Sequence, residues 1–301
     1  MQKDLIKHLT EKGKTHDWRK LADMYGILSD LPDTYQTRKK KCDYVRRLYY
    51  KLQKEKPVTT SQNSSLIEEF KTFIRYNKPV KNYKSYDNGN PENILVIGDT
   101  HIPYHDPNYL EFCIGLQKKW DCGKIIHIGD ILDFQSTTYH TPHPDGLSPY
   151  YELEISKLEI ENWKKAFPNM TVIMGNHDRR ISRKLFDSQI SSQWQFSLKQ
   201  ILNVDWDFVV DYEYNNIYFC HGEGTTARVT ALQKQLSVVQ GHRHSESYID
   251  YPAKNLFAVQ CPIGIDRKAL AFEYARTDTK EWLLGATVIL NSKTPIIEKM
   301  S

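Results

Sequence analysis

Five short blocks in the C-terminal two-thirds of the chain set carboxylate, imidazole and amide side chains beside glycine. They are Asp99-Thr100-His101, Gly129-Asp130-Ile131-Leu132-Asp133, Gly175-Asn176-His177-Asp178, His221-Gly222 and Gly241-His242-Arg243-His244. Oxygen and nitrogen donors of this kind suit Mn2+, Fe, Zn2+ or Ni2+, and no block offers the thiolates of a cysteine-rich zinc site. In four of the blocks glycine adjoins a donor, so the backbone can turn tightly and approach an ion closely. A single D-x-H or G-N-H-D is more often a satisfied structural group than a ligand. Five in order, each where an apolar run gives way to a loop, point to a metal centre.

Those runs are the elements that must position the donors. Ile94 to Ile97, Ile125 to Ile128, Thr171 to Met174 and Val238 to Val239 each precede a block, and Ile217 to Cys220 leads into the other. Short β-branched runs bounded by glycine and polar residues read as buried strands. Strands are expected near 94–98, 124–128, 171–175, 206–210, 216–220 and 236–240, partly alternating with helices near 107–119, 151–167 and 181–202. That alternation is the α/β class.

The motifs D-x-H, G-D-x-x-D, G-N-H-D, H and G-H-x-H, all present over about residues 93–260, resemble those of the calcineurin-like metallophosphoesterase superfamily. The resemblance implies an α/β two-sheet sandwich flanked by helices, with Tyr248–Ile249, Leu256–Val259 and Leu283–Leu290 as strands completing the second sheet. Position by position, it implies that Asp99, His101 and His244 hold one divalent ion and that Asn176, His221 and His242 hold the other, with Asp130 bridging them. Manganese is the expected metal, with iron, zinc or nickel as alternatives. It also implies a hydroxide shared by the two cations as the nucleophile, His177 as general acid to the leaving oxygen and Asp133 as the carboxylate that orients it.

Two departures bear on substrate. The protein phosphatases of that superfamily read G-N-H-E and place an arginine after the second aspartate of G-D-x-x-D, whereas this chain has Asp178 and Phe134 there. The pattern is closer to the phosphodiesterase and nuclease branches of the SbcD type. Gly98 to Asp106 and Gly129 to Phe134 are similar to small phage-encoded metallophosphoesterases. Arg179, Arg180 and Arg243 are the candidates for holding a substrate phosphate, and a solvated basic helix start is the alternative for the first two. The segment Gln135 to Tyr150, with His140 and His143, reads as a loop shaping access to the site. His105 is expected at that cleft or at the surface.

The front of the chain differs in charge. Residues 1–60 carry 15 basic against 8 acidic side chains, net +7, while the other 241 residues carry 26 against 29, net −3. Such asymmetry suggests a segment that binds a polyanion. Residues 1–57 read as a small all-α domain of three helices. The last, about Thr34 to Gln53, turns Cys42, Val45, Leu48, Tyr49 and Leu52 inward and presents Lys39, Lys40, Arg46, Arg47 and Lys51 outward. It resembles a helix-turn-helix, and nucleic acid is the expected partner. Residues 58–92 read as a linker, and 93–301 as the phosphoesterase domain.

No apolar run reaches the length of a membrane span, and Met1-Gln2-Lys3-Asp4 does not open a signal segment, so a soluble cytoplasmic protein is expected, in a host cell if phage-encoded. Five scattered cysteines fit free thiols and not a disulfide framework. Oligomeric state is left open, although dimers occur in the nuclease branch. The leading expectation is a metal-dependent phosphodiesterase or nuclease. The alternatives are a phosphomonoesterase or small-nucleotide phosphatase and, in another class, a non-catalytic nucleic-acid-binding regulator.

Overall fold

The structure, a computed structural model, describes residues 81–138, 146–269, 271–272 and 282–300. The chain divides between Lys81 and Asn82, and the elements below belong to the second unit. The helix-turn-helix reading, with Lys39, Lys40, Arg46, Arg47 and Lys51, lies outside the described residues, as do His140 and His143.

In chain order the elements are β1 (Asn90–Ile97), α1 (Tyr109–Lys119), β2 (Cys122–His127), α2 (Pro149–Ala166), β3 (Thr171–Ile173), α3 (Arg180–Asp187), α4 (Leu198–Leu202), β4 (Asp207–Val209), β5 (Asp211–Tyr214), β6 (Ile217–Cys220), α5 (Ala227–Lys234), β7 (Ser237–Gln240), β8 (Tyr248–Ala253), β9 (Leu256–Gln260), β10 (Gly285–Leu290) and β11 (Thr294–Lys299). Six strands form one sheet in the order β11-β10-β1-β2-β3-β4 and five form a second in the order β5-β6-β7-β9-β8. The runs β1 to β4, and β6, β7 and β9, are parallel within their sheets, with antiparallel strands at the edges.

Alternation along β1 explains the layering. Ile94 and Val96 face the second sheet, in a cluster with Ile126, Ile173, Phe219, Val239 and Val259. Leu95 and Ile97 face the other way, against Tyr109, Leu116, Ile160 and Trp163 of α1 and α2. Because successive side chains point to opposite faces, a strand buried on both sides reads as an unbroken apolar run. The outer face of the second sheet is covered by α5, where Ala227 and Ala231 meet Val238 and Ala258. Proline at the first turn of α2 fits its start, since the N–H it lacks would be unpaired there.

Two expectations are corrected. The region 181–202 is not one helix, but α3, a 3-10 turn at Ser192–Trp194 and α4. The serines compete with the helix: Ser191 caps the 3-10 turn, and Ser197 with Gln200 forms a capping box that starts α4 afresh. Residues 285–290 do not finish the second sheet. β10 pairs antiparallel with β1, Ile94 opposite Ile289, so the C-terminal hairpin of β10 and β11 extends the first sheet. The strands β5 and β11 and the helix α5 had no expectation attached to them.

Tyr83 and Tyr86, ahead of β1, lie on this unit. Tyr83 donates to Glu111 at 2.7 Å, and Tyr86 hydrogen-bonds Asp121. Cys113, Cys122, Cys220 and Cys261 are free thiols, and burial pushes the Cys122 thiol up to about 12. No helix among the described residues is long and apolar enough to cross a membrane.

Tyr109 ties the helical layer to the site. Its buried hydroxyl donates to Gly285 O at 2.7 Å and accepts from Gly98 N at 3.1 Å, one residue before Asp99. Tyr109→Phe leaves both backbone groups unpaired and should cost about 1–3 kcal/mol. Urea unfolding reads this as a lowered midpoint at unchanged slope; an unchanged midpoint would show that the hydroxyl anchors nothing.

Candidate metal centre

Parallel strands deliver the donors to one edge of the two sheets. Asp99 and His101 follow β1, Asp130 and Asp133 follow β2, and Asn176 and His177 follow β3. In the second sheet His221 follows β6, while His242 and His244 follow β7. The turns that aim them are tight. His101, Asp130 and His242 adopt left-handed backbone, with φ of 49°, 49° and 71°. Non-glycine residues held in this way cost of order 1–3 kcal/mol each and cluster at functional sites. Gly129, at φ 118°, has no room for a Cβ, which would collide with the His221 ring.

Asp99, His101, Asp130 and His244 bring one donor atom each within 4.8 Å of one another, and so do Asp130, His221 and His242. Asp130 belongs to both groups. Its Oδ2 lies 3.1 Å from His221 Nε2 and 3.6 Å from His101 Nε2. Asn176 joins the second group through Oδ1, 3.1 Å from His221 Nε2. His244 Nε2 lies 3.2 Å from Asp99 Oδ2 and 3.3 Å from His101 Nε2.

The rings are held from behind. His101 Nδ1 donates to Asp133 Oδ1 at 2.6 Å, and His221 Nδ1 donates to Ile128 O at 3.1 Å. Each bond fixes a tautomer whose Nε2 lone pair faces the centre, the orientation a metal-binding imidazole requires. Asp99 Oδ1 is buried and has no hydrogen-bond partner. A buried carboxylate with one oxygen lacking a donor and the other beside an imidazole nitrogen is a group that a divalent cation completes, and the hard and borderline donors fit such an ion.

Charge supports the same fit. Asp99, Asp130 and Asp133 are at most 2% exposed. Burial works against their ionisation, but neighbouring histidines outweigh it and hold all three below the usual carboxylate range. In return, and against its own burial, Asp130 and Asp99 lift His221 to about 9. The pocket gathers positive charge, as a proton or as a metal ion. Burial pushes His101 down to about 4, which keeps its Nε2 lone pair available.

Asp133 serves two rings. Besides His101 it takes His177, whose Nδ1 lies 3.0 Å from Asp133 Oδ1 and 2.9 Å from its backbone oxygen. On the other edge of that ring, Arg180 Nη2 is 2.8 Å from Nε2, and Arg180 Nη1 donates to Asp133 O at 2.8 Å. Arg179 is paired with Glu223, and Arg243 donates to Glu246 at 3.1 Å. His105 is not at the surface: it is 2% exposed and packs edge-on to Trp163. Its position between β1 and α1 gives no sequence signal that the side chain turns inward.

The supporting roles of several residues were not legible in the motifs. Asp178 accepts from Gly175 N at 2.9 Å, Leu132 N at 3.1 Å and Ile131 N at 3.4 Å, clipping the G-N-H-D loop to the G-D-x-x-D loop. Burial and Asp130 push it up to about 7. Buried His127 accepts from Gly129 N at Nδ1 and lies 3.0 Å from Thr100 Oγ1 through Nε2, and burial drives its pKa down to about 3. Phe272 stands edge-on to His101 and Trp282 edge-on to His244. The only signal for Asp178 was its place within a metal block, and for His127 a polar residue inside an apolar run.

Residues 92–264 match the family model described as calcineurin-like phosphoesterase. The Gene 54 protein of Mycobacterium phage D29 is 28% identical over 180 residues, covering 51% of this chain and 69% of the relative. Among solved structures, vacuolar protein sorting 29 from Cryptosporidium parvum is 14% identical, covering 71% of this chain and 100% of that one at a TM-score of 0.37. The nuclease MPE of Pseudomonas putida is 15% identical, covering 67% and 87% at a TM-score of 0.33.

Asp178→Asn keeps the shape but sets an NH2 group against backbone N–H donors. It should cost about 1–3 kcal/mol, read as a lower thermal midpoint in chelator. Wild-type stability would show that the clip is dispensable.

Proposed function

Because the chain belongs to the calcineurin-like phosphoesterase family, we propose that it is a dinuclear metal-dependent phosphodiesterase that acts on nucleic acid. The observation that carries this reading is Asp130, one carboxylate shared by two donor groups. In this reading Asp99, His101 and His244 hold one divalent ion, Asn176, His221 and His242 the other, and Asp130 both. Manganese is favoured, since oxygen donors share the site with imidazoles. When bound, the pair supplies an activated water and neutralises charge on the phosphoryl oxygens.

The chain's own residues do the rest. His177, anchored at Nδ1 by Asp133, presents Nε2 as the edge that hands a proton to the leaving oxygen. Asp133 fixes the tautomer, and its second bond, to His101, locks that edge to the metal site. Arg180, now on Nε2, is the guanidinium placed to move onto a substrate phosphate.

The balance of charge favours a diester. Glu223 offsets Arg179 and Glu246 offsets Arg243, which leaves Arg180 as the one of the three candidate arginines not paired with a carboxylate among the described residues, beside the two ions of this reading. A diester carries one negative charge and needs less positive charge than the dianion of a monoester. The basic front segment and its Lys39, Lys40, Arg46, Arg47 and Lys51 support a polyanionic substrate. The phage relative supports a phage protein acting in a host cytoplasm.

Hydrolysis of bis-p-nitrophenyl phosphate against p-nitrophenyl phosphate, with Mn2+, Zn2+ or Ni2+ and in chelator, tests the reading. The diester should be preferred, and Asp130→Asn should abolish activity on both. His177→Ala should lower kcat by about 10²–10⁴ while leaving the Mn2+ affinity within a few-fold. Preference for the monoester would move the assignment to a phosphatase, and full activity of His177→Ala would remove the general acid.

Replacing the five front-segment lysines and arginines with glutamine should weaken DNA binding and flatten its dependence on salt, with the aryl diester untouched. An unchanged salt slope would exclude that segment from the substrate path.

A further inference from the structure

The stretch from Arg179 to Lys199 leaves the metal site with an unusual surface. It holds five basic side chains and one acidic one, in a unit (residues 82–301) that carries 22 basic against 27 acidic side chains, net −5. None of the residues of α3 is buried. Phe186, Trp194 and Phe196 are 79%, 81% and 75% exposed. Soluble proteins seldom leave several large aromatic rings bare on one short segment without a use for them.

A cavity of about 620 Å³ lies among α3, α4 and β4, walled by Ile181, Leu185, Phe196, Trp206, Phe208 and Tyr212. Lys199 is part of the same wall, and so is Asp178, the residue that clips the two metal loops together. Of the three rings Phe196 lines this cavity, which thus links the aromatic segment to the catalytic edge. About 9 Å of helix separates Arg180 from Phe186.

We propose that residues 179–199 form a track for single-stranded nucleic acid, on which unpaired bases stack against Phe186, Trp194 and Phe196 while Arg183, Lys184 and Lys199 meet the phosphates. The inference rests on the diesterase reading and specifies its substrate. Bare ring faces flanked by cations complement a polyanion that carries aromatic faces of its own. In a duplex those faces are hidden within the stack, so the occupant is a single strand. Arg180, on His177, is the point at which the track delivers a phosphate to the centre.

The test is binding of a fluorescent 20-nucleotide oligo-dT to the full chain, read by anisotropy in chelator, beside bis-p-nitrophenyl phosphate hydrolysis in Mn2+. The Phe186→Ala/Trp194→Ala/Phe196→Ala protein should lose about tenfold or more in strand affinity and keep its aryl-diester activity within about twofold. Trp194→Phe retains a stacking face and should bind close to wild type.

Equal affinity of the triple variant and the wild type would overturn the track, as would tighter binding to a duplex of the same length. A switch from dimer to monomer in sedimentation, with strand affinity unchanged, would make the patch an interface between copies and likewise overturn it. Binding to phosphatidylserine vesicles but not to oligo-dT would assign the surface to a membrane and overturn it too. If the aryl diester is hydrolysed and no strand binds, the track alone falls. If strands bind through these rings and no diester is cleaved, the diesterase reading alone falls.

Discussion

Three carboxylates, Asp99, Asp130 and Asp133, are closed off from water at one edge of two sheets. Most of the surrounding arrangement follows from that constraint. Buried anions demand positive charge or donated hydrogen bonds. Asp133 takes its donors from two imidazoles and Asp130 Oδ1 takes one from His177 N at 2.8 Å. Asp99 Oδ2 takes one from His242 N at 2.9 Å, and its Oδ1 takes none. The deficit sits on a carboxylate of the donor group that Asp130 joins to the second.

Parallel strands suit this task because their carboxyl ends lie side by side, and each can release its chain into a loop at the same level. The face-to-face packing of β1, β2 and β3 on β6, β7 and β9 then brings loops of both sheets together. The left-handed residues His101, Asp130 and His242 turn the chain two to four positions beyond the strand ends. The apolar sandwich holds those turns in place: Ile94, Val96, Ile126 and Ile173 are fully buried behind them. Asp178 and Tyr109 extend that support by hydrogen bonds, from one loop to the next and from the helical layer to β1.

What the sequence disclosed follows from the range of the forces involved. Strand-end donors were legible because the apolar run and the donor are adjacent, as in Ile94 to Asp99, and both sheets surfaced as runs. Partnership across the sheet was not: that β10 sits beside β1 depends on a pairing almost two hundred residues apart, and its run GATVIL looks the same in either sheet. The break within 181–202 was a local contest between serine caps and helix propensity, won by Ser191 and Ser197. The burial of His105 was not legible, because one polar residue in a loop gives no hint that Trp163 lies over it. Asp178 lay within a motif, but a carboxylate that receives three backbone donors is indistinguishable from a ligand until the loops are in place.

The contact between Arg180 and His177 narrows what the site can do at rest. A guanidinium has only donors, so its place at His177 Nε2 requires a lone pair there and puts the ring proton on Nδ1, against Asp133. In the proposed reaction a ring in that state has nothing to give a leaving oxygen. The carboxylates around it favour the opposite, for despite burial Asp130 and Asp133 hold His177 above the ordinary imidazole value. The two demands are exclusive at Nε2, where either a proton or Arg180 is present. A phosphate is the stronger partner for a guanidinium, since the bond is charge-assisted at both ends. An anion that draws Arg180 away would free the ring edge for a proton at the moment a leaving group needs one, and the same motion would place the arginine on the phosphate.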